Sequence, residues 1–414
     1  MTKNHLLIIA FVWPEPASTA AGNRMLQLIH YFLERDYQIT IASTAAESEL
    51  SMDLKALGIQ KVAIQLNHSS FDEFIGKLDP EIVLFDRFLT EEQFGWRVAE
   101  FAPNALRILD TEDLHSLRYT REKCFKKGTP FSTDAWLKED ITKREVASIY
   151  RSDISMIISS YEMYLLKGIL LIKNAILMYL PFLLDPISQE EIKTWNSFEN
   201  RTDFICIGNG KHGPNVDAIV WLKTEIWPLI RKQLPQANLK IYGAYLPKRI
   251  QQMHNEKEGF LIEGWAKDVN EVMQQTKVNL APLRFGAGLK GKLISAMQNG
   301  LPSVTTPIGA EGMHGDLAFN GQIAETNEGI AKAAIDLYTN QEAWEQSRNH
   351  GLEIINSLYD KTFWIKKLET KISEIQNNLA VHRTQNFIGS MLQHQTLNSS
   401  KYLSKWIEVK NNHK

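Results

Sequence analysis

Val278-Asn279-Leu280-Ala281-Pro282-Leu283-Arg284-Phe285-Gly286-Ala287-Gly288-Leu289-Lys290-Gly291-Lys292 runs on through Leu293-Ile294-Ser295-Ala296-Met297 to Asn299-Gly300-Leu301-Pro302, and this stretch decides how the chain is read. The apolar run up to Ala281 predicts a strand, the glycines a loop, and the residues after Gly291 a helix. Ser303-Val304-Thr305-Thr306 predicts a second strand and Pro307-Ile308-Gly309-Ala310-Glu311-Gly312 a second loop. Gly286, Gly288 and Gly291 let the backbone approach a ligand closely, and the following helix turns its positive N-terminal end toward whatever binds there. An anion is the natural occupant. Lys290 and Lys292 add two cations to a surface rich in backbone N–H donors, which favours a diphosphate over a single carboxylate.

With 414 residues the chain exceeds what one hydrophobic core usually organises, so two domains are expected. Its apolar fraction of 44% and charged fraction of 23% are those of a soluble globular protein. A net charge of -2 offers no global attraction to nucleic acid or anionic lipid, so no nucleic-acid partner is expected. Cys124 and Cys206 are the only cysteines, far apart and without metal-ligand spacing, which points to a cytoplasmic setting with no disulfide framework and no zinc site. Met1-Thr2-Lys3-Asn4-His5 leads straight into an apolar strand too short for a signal peptide or a membrane span.

Leu6-Leu7-Ile8-Ile9-Ala10-Phe11 is a continuous apolar run, as expected of a central parallel strand covered on both faces. A helical face follows at Met25, Leu26, Leu28, Ile29, Phe32 and Leu33, then strands at 39–41, 81–86 and 106–110, with a helix at about 91–101. This alternation predicts a doubly wound α/β domain. Loops beyond the carboxyl ends of parallel strands line the ligand crevice, so Gly22 and the segment from Asp110 to Arg118 are candidates for the first domain's side of a cleft. Asp110-Thr111-Glu112-Asp113-Leu114-His115 also reads as an N-cap and an acidic first helical turn with His115 on its surface.

Arg118, Arg121, Lys123, Lys126 and Lys127, interleaved with Tyr119 and Phe125, admit two readings. One is a peripheral membrane contact serving a lipid-linked acceptor; the other, favoured, is a solvated helix face. A helix is expected at 136–150 and a strand at 154–159. The apolar stretch 164–184 is interrupted by Lys167, Gly168, Lys173, Asn174 and Pro181, so it reads as helix to about Ile172 and then a strand at 175–179, not as a membrane span. Residues 186–201 lack an apolar period and form the expected linker between domains at 1–185 and 202–360, with C-terminal helices over 361–414. Strands at 204–208, 239–243 and 260–265 restart the α/β pattern, and the chain turns helical after Thr326. Phe387, Ile388, Met391 and Leu392 would dock a last helix.

The quoted stretch resembles the retaining glycosyltransferases of the two-Rossmann-domain, or GT-B, architecture, in the group called family 4. The likeness rests on Ala281 to Lys292, on Ala296-Met297 with Gly300-Leu301-Pro302, and on Thr306 to Gly312. Gly208 with Pro214-Asn215-Val216-Asp217-Ala218, and Asp110 to Arg118, extend it over about residues 3 to 375. The resemblance implies two Rossmann-like domains facing each other across a cleft. The second would hold a nucleotide-diphosphate sugar and the first would present a carbohydrate or lipid-linked acceptor, with retention, without metal and with no cofactor beyond the donor. It implies that His115 faces the donor sugar, and that Glu311 faces the same cleft as a catalytic residue, a helix N-cap being its alternative. Gly22, Gly208, Gly264, Gly286, Gly288, Lys290, Lys292 and Ser295 are implied around the donor, with Trp265 near the base or simply packed.

Two departures from the resembled pattern matter. Many relatives carry two glutamates with seven residues between them, where this chain has Ala287 and Ser295; the hydroxyl makes fewer and weaker hydrogen bonds to a ribose than a carboxylate would. The usual arginine-lysine pair after the first strand of the second domain is reduced to Lys211 and His212, leaving Lys290 and Lys292 to substitute. A non-catalytic sugar-nucleotide-binding or polysaccharide-assembly protein is therefore the alternative to a transferase. A nicotinamide-dependent oxidoreductase is disfavoured because no Gly-x-Gly-x-x-Gly follows the first strand.

Overall fold

A computed structural model describes residues 4–394 together with Ser404, Trp406 and Lys410. Most of the tail that sequence assigns to C-terminal helices beyond 394 lies outside the described residues, as do residues 1–3. Among the described residues thirteen strands form two wholly parallel sheets. The first contains β1 (His5–Ala10), β2 (Gln38–Ser43), β3 (Gln60–Ala63), β4 (Ile82–Asp86), β5 (Leu106–Asp110), β6 (Ile154–Ile157) and β7 (Leu177–Tyr179), in the order 3-2-1-4-5-6-7. The second contains β8 (Thr202–Ile207), β9 (Leu239–Tyr242), β10 (Phe260–Gly264), β11 (Thr276–Ala281), β12 (Ser303–Thr305) and β13 (Gly321–Ile323), in the order 10-9-8-11-12-13. Strand order reverses between β1 and β4 and again between β8 and β11, so each sheet has a crevice at those carboxyl ends.

Strand alternation divides the cores. Leu6, Ile8 and Ala10 face Met25, Leu28, Ile29 and Phe32 of the Ala20–Leu33 helix, while Leu7 and Ile9 face Phe71, Phe94 and Val98 on the opposite side. In the second sheet Phe204, Val278, Leu280 and Val304 pack with Trp227, Ile330, Ala334 and Leu337. All of these strand residues are buried, and each such side chain contributes about 1.5–3 kcal/mol relative to exposure. Edge strand β3 buries little and carries a weak pattern, whereas the Ser70–Leu78 helix shows Phe71, Phe74, Ile75 and Leu78 at helical spacing, and neither element was expected.

Other elements differ from expectation at their ends. The helix expected over 136–150 is two, Thr133–Lys138 and Asp140–Arg151, and the one ending near Ile172 begins at Ser160 and closes in a wide turn at Leu165–Ile169. The chain crosses between the sheets at two adjacent points: the Leu184 amide donates to the Tyr359 carbonyl (3.0 Å) and the Lys361 amide to the Leu184 carbonyl (2.8 Å). The segment read as a linker is not loose. Ser188 and Glu191 form a capping box, Ile187 joins the core around Leu293 and Met297, and buried Arg201 donates to the carbonyls of Asn196, Met273, Thr276 and Asn299. The Lys361–Gln376 helix then returns to the first sheet, placing Leu368, Ile372 and Ile375 in its core. The apolar residues of the Phe387–Gln393 helix do not dock it, since Phe387 and Met391 stay exposed; Gly389 does, by packing on the Tyr150 carbonyl. Among the described residues no helix is long and apolar enough to cross a membrane.

Candidate active site

Backbone strain marks the crevice before any side chain is considered. Arg87 (φ 70°), Glu112 (φ 64°) and Tyr245 (φ 57°) adopt the left-handed region without being glycine, and all three lie just beyond strands β4, β5 and β9. Such conformations cost about 1–3 kcal/mol each and cluster at functional sites. Of the three, Glu112 meets the glycine loop Pro282–Lys290, its carbonyl 3.3 Å from where a Cβ on Gly288 would sit; the loop leaves β11 and enters the Gly291–Gln298 helix.

The loop needs its glycines because of the first domain. A Cβ on Gly288 (φ 64°) would sit 2.7 Å from the Asp113 Cβ, and one on Gly291 would sit 2.5 Å from the Ala20 Cβ. The close approach expected toward a ligand is thus made to the facing domain. Gly286 (φ 149°) leaves its carbonyl free to accept from Arg121 at 2.9 Å. Beneath the loop, Arg284 pairs in a two-pronged contact with Asp217 (2.8 and 2.6 Å) and stacks between Phe125 and Trp221.

Lys290 and Lys292 diverge. The Lys290 ammonium is buried and folds back on the Gly288 carbonyl (2.6 Å) and the Ala287 carbonyl (3.3 Å); burial pushes its pKa down to about 8. Lys292 reaches the Asn215 Oδ1 at 2.6 Å, and burial lowers its pKa as well. Asn215 fits there only because Gly208 has no side chain, a Cβ at 208 falling 2.5 Å from the Asn215 Cγ. Ser295 lies half-buried one turn beyond Lys292. Gly264 (φ 79°) ends β10 and lines a concavity of about 470 Å³ with Gly243, His254, Glu263 and Trp265. The Trp265 indole is exposed and donates to the Ala17 carbonyl of the first domain (3.3 Å). Gly22 is filled differently: a side chain there would run into the Glu15 backbone, whose carboxylate accepts from Tyr245 across the cleft at 3.2 Å.

On the first domain, Asp110 is structural, holding buried Arg24 through 2.9 Å hydrogen bonds. His115 opens the His115–Lys126 helix, where Glu145 accepts from the His115 amide (2.8 Å) and the Ser116 amide (3.0 Å) as a cap supplied from outside. Its ring meets Phe88 edge-on and places Nε2 3.4 Å from the Asp113 Oδ1. Burial pushes the His115 pKa down to about 3, so the imidazole is neutral at physiological pH. Burial likewise lowers His212, on the opposite domain, to about 4, with Arg118, Asp113, Lys292 and Lys290 as its charged surroundings. Asp113 stays ionised: burial opposes this, but Arg118, His115 and His212 together hold its carboxyl below the usual range. Gly288, Lys290, Lys292 and His115 therefore share one neighbourhood, joined through Asp113 and His212.

Glu311 does not cap a helix N-terminus. It follows the Pro307–Ala310 helix and forms a two-pronged ion pair with Arg121 of the first domain (2.8 and 2.7 Å). The sequence reading also missed Glu162, a fully buried carboxylate whose Oε1 accepts from the Leu114 amide (2.8 Å) and the Gly288 amide (2.9 Å) while Oε2 has no hydrogen-bond partner among the described residues. Burial pushes its pKa up to about 8. An acidic residue in the first turn of a helix is ordinary, so nothing in the pattern singles Glu162 out. In the basic segment, Arg118 pairs with Asp113, Arg121 with Glu311, Lys123 with Glu139 and Lys126 with Glu122.

No curated protein sequence matches the chain. Its backbone resembles solved glycosyltransferase structures at low identity. A glycosyltransferase from Rickettsia africae is 11% identical with a TM-score of 0.64, over 91% of this chain and 100% of that one. Sucrose-phosphate synthase from Thermosynechococcus elongatus is 13% identical with a TM-score of 0.66, over 90% and 99%. The pneumococcal O-GlcNAc transferase GtfA, solved with UDP and GlcNAc, is 11% identical with a TM-score of 0.67, over 91% and 99%. Residues 201–340 match the family model described as glycosyl transferases group 1. That matched segment carries the glycine loop, both lysines and Glu311, within a chain whose two parallel-sheet domains have the fold of GT-B glycosyltransferase structures.

Proposed function

We propose that the chain transfers a sugar from a nucleotide-diphosphate donor to a carbohydrate or lipid-linked acceptor, with retention and without a metal ion. The observation that carries this reading is the loop's position: Gly288 packs on Asp113, while Lys290 and Lys292 are charged neighbours of His212, which with Asp113 neighbours His115. The neighbour solved with UDP and GlcNAc supports a nucleoside-diphosphate donor. Departure of a diphosphate places negative charge where two cations and a helix N-terminus already lie, so little reorganisation accompanies it. His115, neutral and with its Nε2 3.4 Å from the Asp113 Oδ1, would accept a hydrogen bond from, or donate one to, the sugar, while Glu162 and Arg121 fix the loop against the first domain. Glu311 acts on this reading by orienting Arg121. The concavity at Gly264 and Trp265 would take the base.

A second reading, binding without transfer, is favoured by one feature. Ala287 is buried in the first domain's apolar cluster, where the glutamate of the resembled pattern would be a buried carboxylate among apolar side chains. Release of nucleotide diphosphate from a panel of donor sugars, with and without acceptor sugars, separates the two. Acceptor-dependent release is expected; tight donor binding with no release under any acceptor would establish the second reading instead.

A further inference from the structure

At the opposite end of the first sheet, away from the cleft, the C-terminal helices leave a cavity of about 290 Å³ against β5 and β6. Its lining includes Arg107, Arg151, Arg383 and Asp153, so three guanidiniums face one carboxylate. Their occupancy differs sharply. Arg383 is spent on structure: Nε and Nη2 bind Asp153 (2.8 Å each), Nη1 the Pro103 carbonyl and Nη2 the Ala105 carbonyl. Arg151 gives Nε and Nη2 to Glu91 (2.9 and 2.5 Å) and Nη2 also to the Ser148 hydroxyl (3.0 Å), and among the described residues Nη1 has no hydrogen-bond partner. Arg107 is nine-tenths buried and forms a loose ion pair with Asp153 (Nε to Oδ2, 3.6 Å), but no described residue hydrogen-bonds its Nε, and the two Asp153 oxygens already accept from Arg383 and the Arg107 amide. A buried guanidinium that shares one carboxylate with a second arginine keeps unused donors, and an anion that fits its fork would satisfy them.

We propose that this cavity is a second anion site, distinct from the cleft, that takes a phosphate or a small phosphorylated molecule on Arg107 and Arg151. A volume just under the ~300 Å³ lower bound of ordinary ligand pockets suits a small oxyanion and excludes a nucleotide sugar. Asn386, Ser390 and Gln393 line the rim from the Phe387–Gln393 helix and its cap, so the bound anion ties that helix to β5. The far end of β5 carries Asp110 and leads into the His115 loop.

The test is calorimetric titration of the full chain with inorganic phosphate at fixed ionic strength, on a Lys290→Ala, Lys292→Ala background that weakens the cleft site. Saturable binding with half-saturation at about 1 mM or below is expected. Adding Arg107→Leu should weaken it at least about tenfold, as should Gln393→Glu, which sets a negative charge on the rim. Absence of saturable binding, or binding unchanged in the two variants, overturns the proposal. Should Arg107→Leu show no cooperative unfolding transition, Gln393→Glu alone decides, with unchanged binding counting against the site.

Discussion

Glu162 and Gly288 are joined across the domain boundary: a carboxylate from the segment after β6 accepts the amide of the glycine loop after β11 at 2.9 Å, and the same oxygen accepts the Leu114 amide just before His115. One buried side chain thus sets the distance between the loop that would hold a diphosphate and the helix start that would face the sugar. Losing it by Glu162→Ala leaves two buried N–H donors unpaired and should destabilise the chain by about 1–3 kcal/mol. Thermal unfolding of Glu162→Ala beside Glu162→Gln would measure it; equal stability of all three proteins would show the contact to be incidental.

The same residue makes stability depend on pH. The Glu162 pKa of about 8 in the folded chain lies above its ordinary value of 4.5, so its contribution is fully present below about pH 4.5 and is lost as pH rises through 8. Glu162→Gln cannot ionise and should flatten the fall in melting temperature between pH 5 and 9 relative to the parent. Parallel profiles for the two proteins would refute this.

Histidines impose the opposite limb. His115 and His212 are held near 3 and 4, below the ordinary 6.5, so the stability they contribute is present above pH 6.5 and lost as pH falls through those values. His212→Asn should lessen acid destabilisation between pH 6.5 and 4. His115→Ala should lower turnover by roughly a hundredfold while nucleotide diphosphate affinity stays within about twofold. An equal loss in both would place His115 on the nucleotide and not on the sugar.

Arg121 and Glu311 face each other from different domains, and with side chains largely withdrawn from water their coupling should exceed that of a surface pair. A double-mutant cycle of Arg121→Met and Glu311→Gln, read by unfolding, is expected to give a coupling of about 1–3 kcal/mol. A coupling near zero would mean that Glu311 is free to act on a ligand itself.

The fold was legible because its strands are apolar on both faces, as at Leu6 to Ala10 and Val278 to Ala281. The weak edges were not: β3 and β13 bury little, and a strand lying half in solvent carries no strong pattern. At the site, glycines and lysines could be read from spacing, but the reason for the glycines could not. Gly288 and Gly291 yield space to Asp113 and Ala20, residues some 170 or more positions earlier in the chain, and local sequence does not encode that encounter. Glu162 and the pairing of Arg121 with Glu311 escaped for the same cause, as each gains its meaning only when two domains close on one another.

If Lys290 and Lys292 hold the donor diphosphate, calorimetric titration of Lys290→Ala and Lys292→Ala with several nucleoside diphosphates will show weakened binding. A charge-assisted hydrogen bond is worth about 1.5–3 kcal/mol, so each substitution should weaken the preferred nucleotide roughly tenfold to a hundredfold. Because the Lys290 pKa lies near 8, parental affinity should also decline as pH rises through that value, and Lys290→Ala should lose this dependence. Variants that bind as tightly as the parent at every pH would place the diphosphate elsewhere and contradict the account.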